Sequence, residues 1–244
     1  MNPLPLLKLV FIAAHTVVVA PIVVGLALID EHAAYRLCRR WACVNLRASG
    51  VRVRTRRLAP LDPDTPYVFM SNHRSQFDSL AVVAALDEFQ LRWVAKKELA
   101  EVPVFGWMLR NTGHIIIDRS NHAQAVASLR AARAKMGDGV SVVIFPEGTR
   151  AAADQTLLPF KKGGFMLALE TGFAIVPIVV RGSAAVLPNQ SMQIRAGEIV
   201  VVVGAPIPVE GRSRDELMRD VEAFMLAHLE AEPGRCPGAV AEAS

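Results

Sequence analysis

The sequence predicts an α/β protein, a mixed and largely parallel sheet flanked by helices, with an N-terminal membrane-associated helical segment. Three observations carry that expectation. Short β-branched runs at 51–57, 67–70, 90–95, 115–118, 142–145, 174–180 and 199–203 alternate with helical stretches, the rhythm of strands joined by crossover helices. Residues 9–29 hold no charge, so a helix there measures about 31 Å, enough to span the hydrocarbon core of a bilayer. Between His32 and Leu61 no acidic residue offsets Arg36, Arg39, Arg40, Arg47, Arg52, Arg54, Arg56 and Arg57.

The first element is apolar throughout, with Pro21 expected to interrupt it. A cleaved signal peptide fits it poorly, because the run is longer than a typical h-region and Lys8 is its only basic flank. The second element, 31–46, is amphipathic and stops at Ser49-Gly50. Arginines directly after an apolar helix read as a polybasic segment drawn to anionic lipid, on the cytoplasmic side by the positive-inside rule. The expected location is therefore the cytoplasmic face of the cell membrane, held by a monotopic or single N-terminal anchor.

Strands 51–57 and 67–70 come next. Ser75-x-x-Asp78 then has capping-box spacing, which makes Ser75 the expected N-cap of an apolar helix through Leu80, Val82, Val83 and Leu86. Strand 90–95 leads to a short helical patch broken by Pro103 and Gly106, strand 115–118 to an Ala-rich helix over 122–136, and strand 142–145 to a loop carrying Pro146-Glu147-Gly148. A helix over 163–170 and the last two strands follow. Ser213-x-x-Glu216 caps a final helix to about Ala231, and the tail from Pro233 is rich in Ala, Gly and Pro. The expected divisions are N-terminal helices at 1–48, a sheet domain at 49–232 and a flexible tail at 233–244.

Composition removes several classes of function. Cys38, Cys43 and Cys236 have no CxxC spacing and the six histidines form no HExxH, so neither a disulfide framework nor a metal site is expected. The arginine-rich stretch comes with no aromatic stacking platform or recognisable DNA-binding module, so nucleic acid is not an expected partner.

The chemistry concentrates in two strings. In Asn72-His73-Arg74-Ser75-Gln76-Phe77-Asp78 the histidine precedes the aspartate by five positions, roughly 140° past a full helical turn. The two cannot share a helix face, so His73 belongs in the loop ahead of the helix, with Asp78 turning back onto its imidazole. A carboxylate on one ring nitrogen fixes the tautomer and leaves the other as a base. The second string is Phe145-Pro146-Glu147-Gly148-Thr149-Arg150. Arg150, Arg119, Lys96 and Lys161 are cations at loops and strand ends, suited to a phosphate. Glu147 either bonds an acceptor hydroxyl or orients Arg150 and the loop. Glu147, Gly148 and Thr149 are expected to bind the acceptor together with Arg150; Asn72 and Gly148 also shape the turns that carry the site, and the lesser alternative for Thr149 is a local cap. The chain has no Gly-x-Ser-x-Gly, and Ser75 is better explained as a cap than as a nucleophile.

Both strings, in this order and at this separation, resemble the glycerolipid acyltransferase family, whose best-known members are the 1-acyl-sn-glycerol-3-phosphate acyltransferases. Ala95-Lys96-Lys97-Glu98-Leu99 with Pro103-Val104-Phe105-Gly106, then Gly113 through Arg119, Phe160-Lys161-Lys162-Gly163 and Val176-Pro177-Ile178 fall where that family has its secondary motifs. One departure is Ala151, where many relatives have serine. The resemblance implies transfer of a fatty acyl chain from acyl-CoA or acyl carrier protein to the free hydroxyl of 1-acyl-sn-glycerol 3-phosphate, giving phosphatidic acid. His73 is then the general base, Asp78 its partner, and no cofactor is required beyond the thioester co-substrate. The implied partners are membrane phospholipid, a lysophospholipid acceptor and the thioester donor. Other acceptors remain open, namely glycerol 3-phosphate, another lysophospholipid or a lyso-ornithine lipid, as do a hydrolase and a non-catalytic lipid-binding module.

Overall fold

The computed structural model describes residues 4–117, 139–152 and 155–229. The helix expected over 122–136, Cys236 and the tail at 233–244 lie outside them. Helix α1 (Leu4–Ala27) runs continuously through Pro21, which therefore does not interrupt the segment as expected. A proline removes one i→i−4 bond, and here the turn around it is held from outside: Ala20, Val23 and Val24 are buried beside Ala34, Leu37 and Cys38 of α2 (Glu31–Ala48). Asp30 caps α2 by accepting the Ala33 N–H at 3.0 Å. Gly50, at φ +71°, turns the chain into the sheet where a Cβ would come within 2.9 Å of the Ala196 Cβ.

The sheet comprises β1 (Val51–Arg57), β2 (Val68–Ser71), β3 (Gln90–Lys96), β4 (Ile115–Ile117), β5 (Val140–Ile144), β6 (Ile175–Arg181) and β7 (Gly197–Val203). Its order is β1-β7-β6-β2-β5-β3-β4. Neighbours are parallel except β6 and β7, so the sheet is mixed and largely parallel as expected. Strand limits differ from the sequence expectation by one or two residues, the ordinary uncertainty of an element's end.

Burial on both faces explains why β2 and β5 read as continuous apolar runs rather than alternations. On one face, Phe69, Leu91, Val143, Val176 and Ile178 pack with Phe77, Ala81 and Val82 of α3 (Phe77–Ala85) and with Tyr35 and Leu46 of α2. On the other, Val68, Met70, Val142, Ile144 and Val179 meet Phe165 and Leu167 of α5 (Gly163–Thr171) and Leu217, Val221 and Met225 of α7 (Arg214–Leu229). The expected box ahead of α7 forms reciprocally: Ser213 N–H donates to Glu216 Oε2 at 2.8 Å, and Glu216 N–H to Ser213 Oγ at 3.3 Å. Among the described residues there are also two short helices, α4 (Phe105–Asn111) and α6 (Ser183–Val186).

Candidate active site

Because β2 and β5 are adjacent and parallel, with Met70 opposite Ile144, the chain leaves both strands side by side at their carboxyl ends. Asn72 begins the first loop. Its Nδ2 donates to Val180 O at 3.0 Å and its Oδ1 accepts from Val180 N–H at 2.7 Å, so a buried side-chain amide supplies the next rung of the β2–β6 ladder. Asn72 thus does more than shape a turn.

His73 follows, and its Nδ1 stands 2.8 Å from Asp78 Oδ2. The same oxygen accepts the N–H groups of Arg74 at 2.6 Å and Ser75 at 2.7 Å. Two fixed backbone donors hold the carboxylate in the first turn of α3, near the positive end of the helix. With Nδ1–H donating to Asp78, Nε2 is the ring's free acceptor. Asp78 is fully buried, whereas the His73 side chain keeps 17% exposure, enough to reach a substrate.

Ser75 departs from its expected place. The N-cap position of α3 falls on Gln76, in αR conformation and without a side-chain cap. Ser75 Oγ accepts the Phe77 N–H at 3.2 Å and donates to Leu187 O at 2.8 Å. Only the acidic half of the box forms as drawn, Asp78 onto Ser75 N–H. The hydroxyl is instead spent tying the loop to residue 187, which leaves no activated nucleophile at Ser75.

Glu147 fastens the loop, one part of its expected role, and makes no bond to Arg150 among the described residues. Its Oε1 accepts His73 N–H at 2.7 Å and its Oε2 accepts Leu158 N–H at 2.8 Å, so one buried carboxylate joins three loop segments. Burial pushes its carboxyl above the usual range, opposed by those two N–H groups, with the Asp78 charge adding to the rise and Arg74 countering it. Ala151 N–H donates to His73 O at 2.8 Å and Lys161 N–H to Pro146 O at 2.7 Å, further fastening the two strings. Gly148 takes φ +75° in a turn closed by its N–H on Phe145 O at 3.0 Å.

Phe145 was not among the expected site residues. Its ring lies parallel to the His73 imidazole and itself stacks on Trp93 of β3. An aromatic residue inside the second string was a visible signal, but nothing local tells which way its ring turns.

The cations are less gathered. Arg150 is half-buried and makes no hydrogen bond or ion pair among the described residues. Thr149 and Lys161 are exposed on the same connection, and Lys96 is the last residue of β3. Arg119 lies outside the described residues. Among the described residues no group of three or more His, Cys, Asp or Glu could hold a metal ion.

The histidine–aspartate pair follows β2 in an α/β sheet, beside the loop that leaves β5, and comparison with known proteins gives the family. The chain belongs to the acyltransferase family, whose model matches residues 50–181. It is 30% identical over 202 residues to a 1-acyl-sn-glycerol-3-phosphate acyltransferase of Chlamydomonas reinhardtii, covering 82% of this chain and 59% of that one. It is 33% identical over 169 residues to the human 1-acyl-sn-glycerol-3-phosphate acyltransferase alpha, covering 69% of this chain and 59% of that one. The chain thus spans less than two thirds of the length of these relatives. Among solved structures, that of the 1-acyl-sn-glycerophosphate acyltransferase from Thermotoga maritima matches with a TM-score of 0.80 at 24% identity, covering 97% of this chain and 98% of that one. That likeness establishes the shared fold.

Proposed function

We propose that this protein transfers a fatty acyl chain from an acyl thioester, carried by coenzyme A or acyl carrier protein, to the free hydroxyl of 1-acyl-sn-glycerol 3-phosphate, giving phosphatidic acid. One observation carries the reading: His73 bonded through Nδ1 to buried Asp78, with Nε2 left as acceptor. In the proposed step Nε2 takes the hydroxyl proton as that oxygen bonds to the thioester carbonyl carbon. The carbon–sulfur bond then breaks, and the proton passes to the departing thiolate. Asp78 keeps the tautomer and stabilises the imidazolium between the two transfers. A thioester is already activated, so no covalent acyl-enzyme and no further cofactor is invoked. Arg150 is assigned the acceptor phosphate, with Arg119, Lys96 and Lys161 as additional cations. The acceptor for which the relatives are named supports this choice.

We further infer that the chain lies in one leaflet at the cytoplasmic face rather than crossing the membrane. Helix α1 is long and apolar enough to cross, yet its polar groups all turn to α2 or its end. Lys8 Nζ donates to Ser49 O at 2.7 Å, His15 Nδ1 lies 3.0 Å from Asn45 Oδ1, and Trp41 Nε1 donates to Thr16 Oγ1 at 3.2 Å. A spanning α1 would carry α2 with it, and Arg36, Arg40 and Arg47 are exposed there. Each arginine at the bilayer centre costs about 2.5 kcal/mol or more. Lying flat, the hairpin gives Leu6, Leu7, Val10, Val17 and Val18 to the acyl region.

The deciding experiment measures thiol release from acyl-CoA and acyl carrier protein by the purified full chain, with each acceptor supplied and omitted in turn. Release that needs 1-acyl-sn-glycerol 3-phosphate supports the reading. Release into water without any acceptor would make the protein a hydrolase, and dependence on a different acceptor would reassign the substrate.

A further inference from the structure

Between β3 and β4 the chain makes a 3-10 turn (Lys97–Glu101) and then α4, and three large apolar side chains of this segment face outward. Leu99, Val102 and Trp107 are 41, 43 and 42% exposed. Val104, Phe105 and Met108 from the same segment instead join the cluster of Ala20, Val23 and Val24 on α1. The backbone enforces this division. Pro103, Val104 and Phe105 form a γ-turn, with Phe105 N–H donating to Pro103 O at 2.7 Å and Val104 at φ 65°, ψ −56°. A β-branched residue adopts that left-handed geometry only under strain, and such strain persists where neighbours over-determine it, often at functional edges. Gly106 is one such neighbour, since a Cβ there would stand 2.1 Å from the Ala100 carbonyl oxygen.

The half of α1 on which α4 packs also carries exposed apolar side chains, Val17, Val18 and Ile22. The segment leaves β3 at the carboxyl end of the sheet, the end that also carries the loops of His73 and Glu147. A tryptophan beside exposed Leu and Val suits the headgroup level of a bilayer, where one end of the indole is apolar and the other wet.

We propose that Leu99, Val102 and Trp107 form a second membrane-inserting edge beside α1, over which a lipid acceptor passes from the bilayer to His73. The inference rests on the membrane placement and lipid acceptor proposed above.

In the full chain, Trp41→Phe with Trp93→Phe leaves Trp107 as the sole remaining one of three tryptophans. The probe is a vesicle of equal parts phosphatidylglycerol and phosphatidylcholine with brominated acyl chains. When the protein floats with the vesicles, Trp107 emission is expected to shift to the blue and be quenched by bromine. Floating protein with unquenched Trp107 overturns the edge while leaving the hairpin anchor in place, and a wild-type chain that does not float overturns both. Emission that depends on protein concentration without lipid would mean that copies of the chain cover this surface, which also overturns the edge. A second variant needs no tryptophan replacement: Leu99→Glu with Val102→Glu is expected to lower turnover about tenfold or more on acceptor embedded in vesicles. Turnover on a short-chain, freely soluble acceptor should stay unchanged. Equal loss on both acceptors would overturn the access role. The fluorescence result stands whether or not the chain transfers an acyl group.

Discussion

The imidazole of His73 lies flat on the ring of Phe145, with centroids 3.8 Å apart and planes 8° from parallel. Phe145 is backed in turn by Trp93, at 5.4 Å. A single bond to Asp78 leaves the imidazole free to swing about that contact, and the stack removes the freedom, holding Nε2 in one direction. Aromatic pairs contribute about 0.5 to 1.5 kcal/mol beyond their buried area. Phe145→Leu should therefore lower kcat by about 2- to 12-fold with the acceptor KM little changed, while Phe145→Tyr keeps most of the rate. Steady-state kinetics on both variants check this; a change confined to KM would show that the ring serves binding instead.

His73→Ala should reduce turnover by at least about 100-fold in a protein that still unfolds cooperatively, with only the modest loss of stability that the lost stack and Asp78 bond entail. Asp78→Asn should be nearly as damaging, because an amide no longer selects the Nδ1–H tautomer. Retention of more than about a tenth of wild-type turnover by His73→Ala would remove the base from the mechanism.

Glu147→Gln should act through stability. Both carboxylate oxygens accept backbone N–H groups, and glutamine offers one oxygen and turns its NH2 toward the other donor, at a cost of about 1 to 3 kcal/mol. The pH dependence follows from the direction of the shift. Burial raises the folded-state value above 4.5, so the group's contribution is fully present below the unfolded value and is lost as pH rises through the folded one. The stability advantage of the wild type over Glu147→Gln should thus be greatest below pH 4.5 and shrink toward neutrality. Denaturant unfolding of both proteins across that range measures the difference, and an advantage that grows with pH would contradict the assignment.

Arg150→Ala should raise the KM for the phosphorylated acceptor far more than that for the acyl thioester. Loss of a charged hydrogen bond costs about 1.5 to 3 kcal/mol, or roughly 10- to 150-fold. Equal effects on both substrates would take the phosphate away from this residue.

Much of the fold was legible because its cues are local. The period of apolar residues marked α2 and α7, β-branched runs marked β1 to β7, and the spacing of Ser213 and Glu216 announced a box that forms in full. Pro21 misled because a proline's effect depends on what packs around it, and here α2 and α4 support the turn. Ser75 misled because its hydroxyl had a distant acceptor, Leu187 O, that no local pattern reveals.

The same division runs through the site. The His73–Asp78 pair spans five residues, so chain geometry alone brings a loop histidine and a first-turn carboxylate within reach, and the sequence by itself determined the pair. Glu147 lies 74 residues from His73, Val180 lies 108 from Asn72, and Leu187 lies 112 from Ser75. Those bonds exist because the sheet sets β2 between β6 and β5, an order decided by long-range burial rather than by any local period. Tertiary structure alone therefore decided that Glu147 braces the histidine loop, that Asn72 completes a ladder, and that Phe145 turns its face to the imidazole.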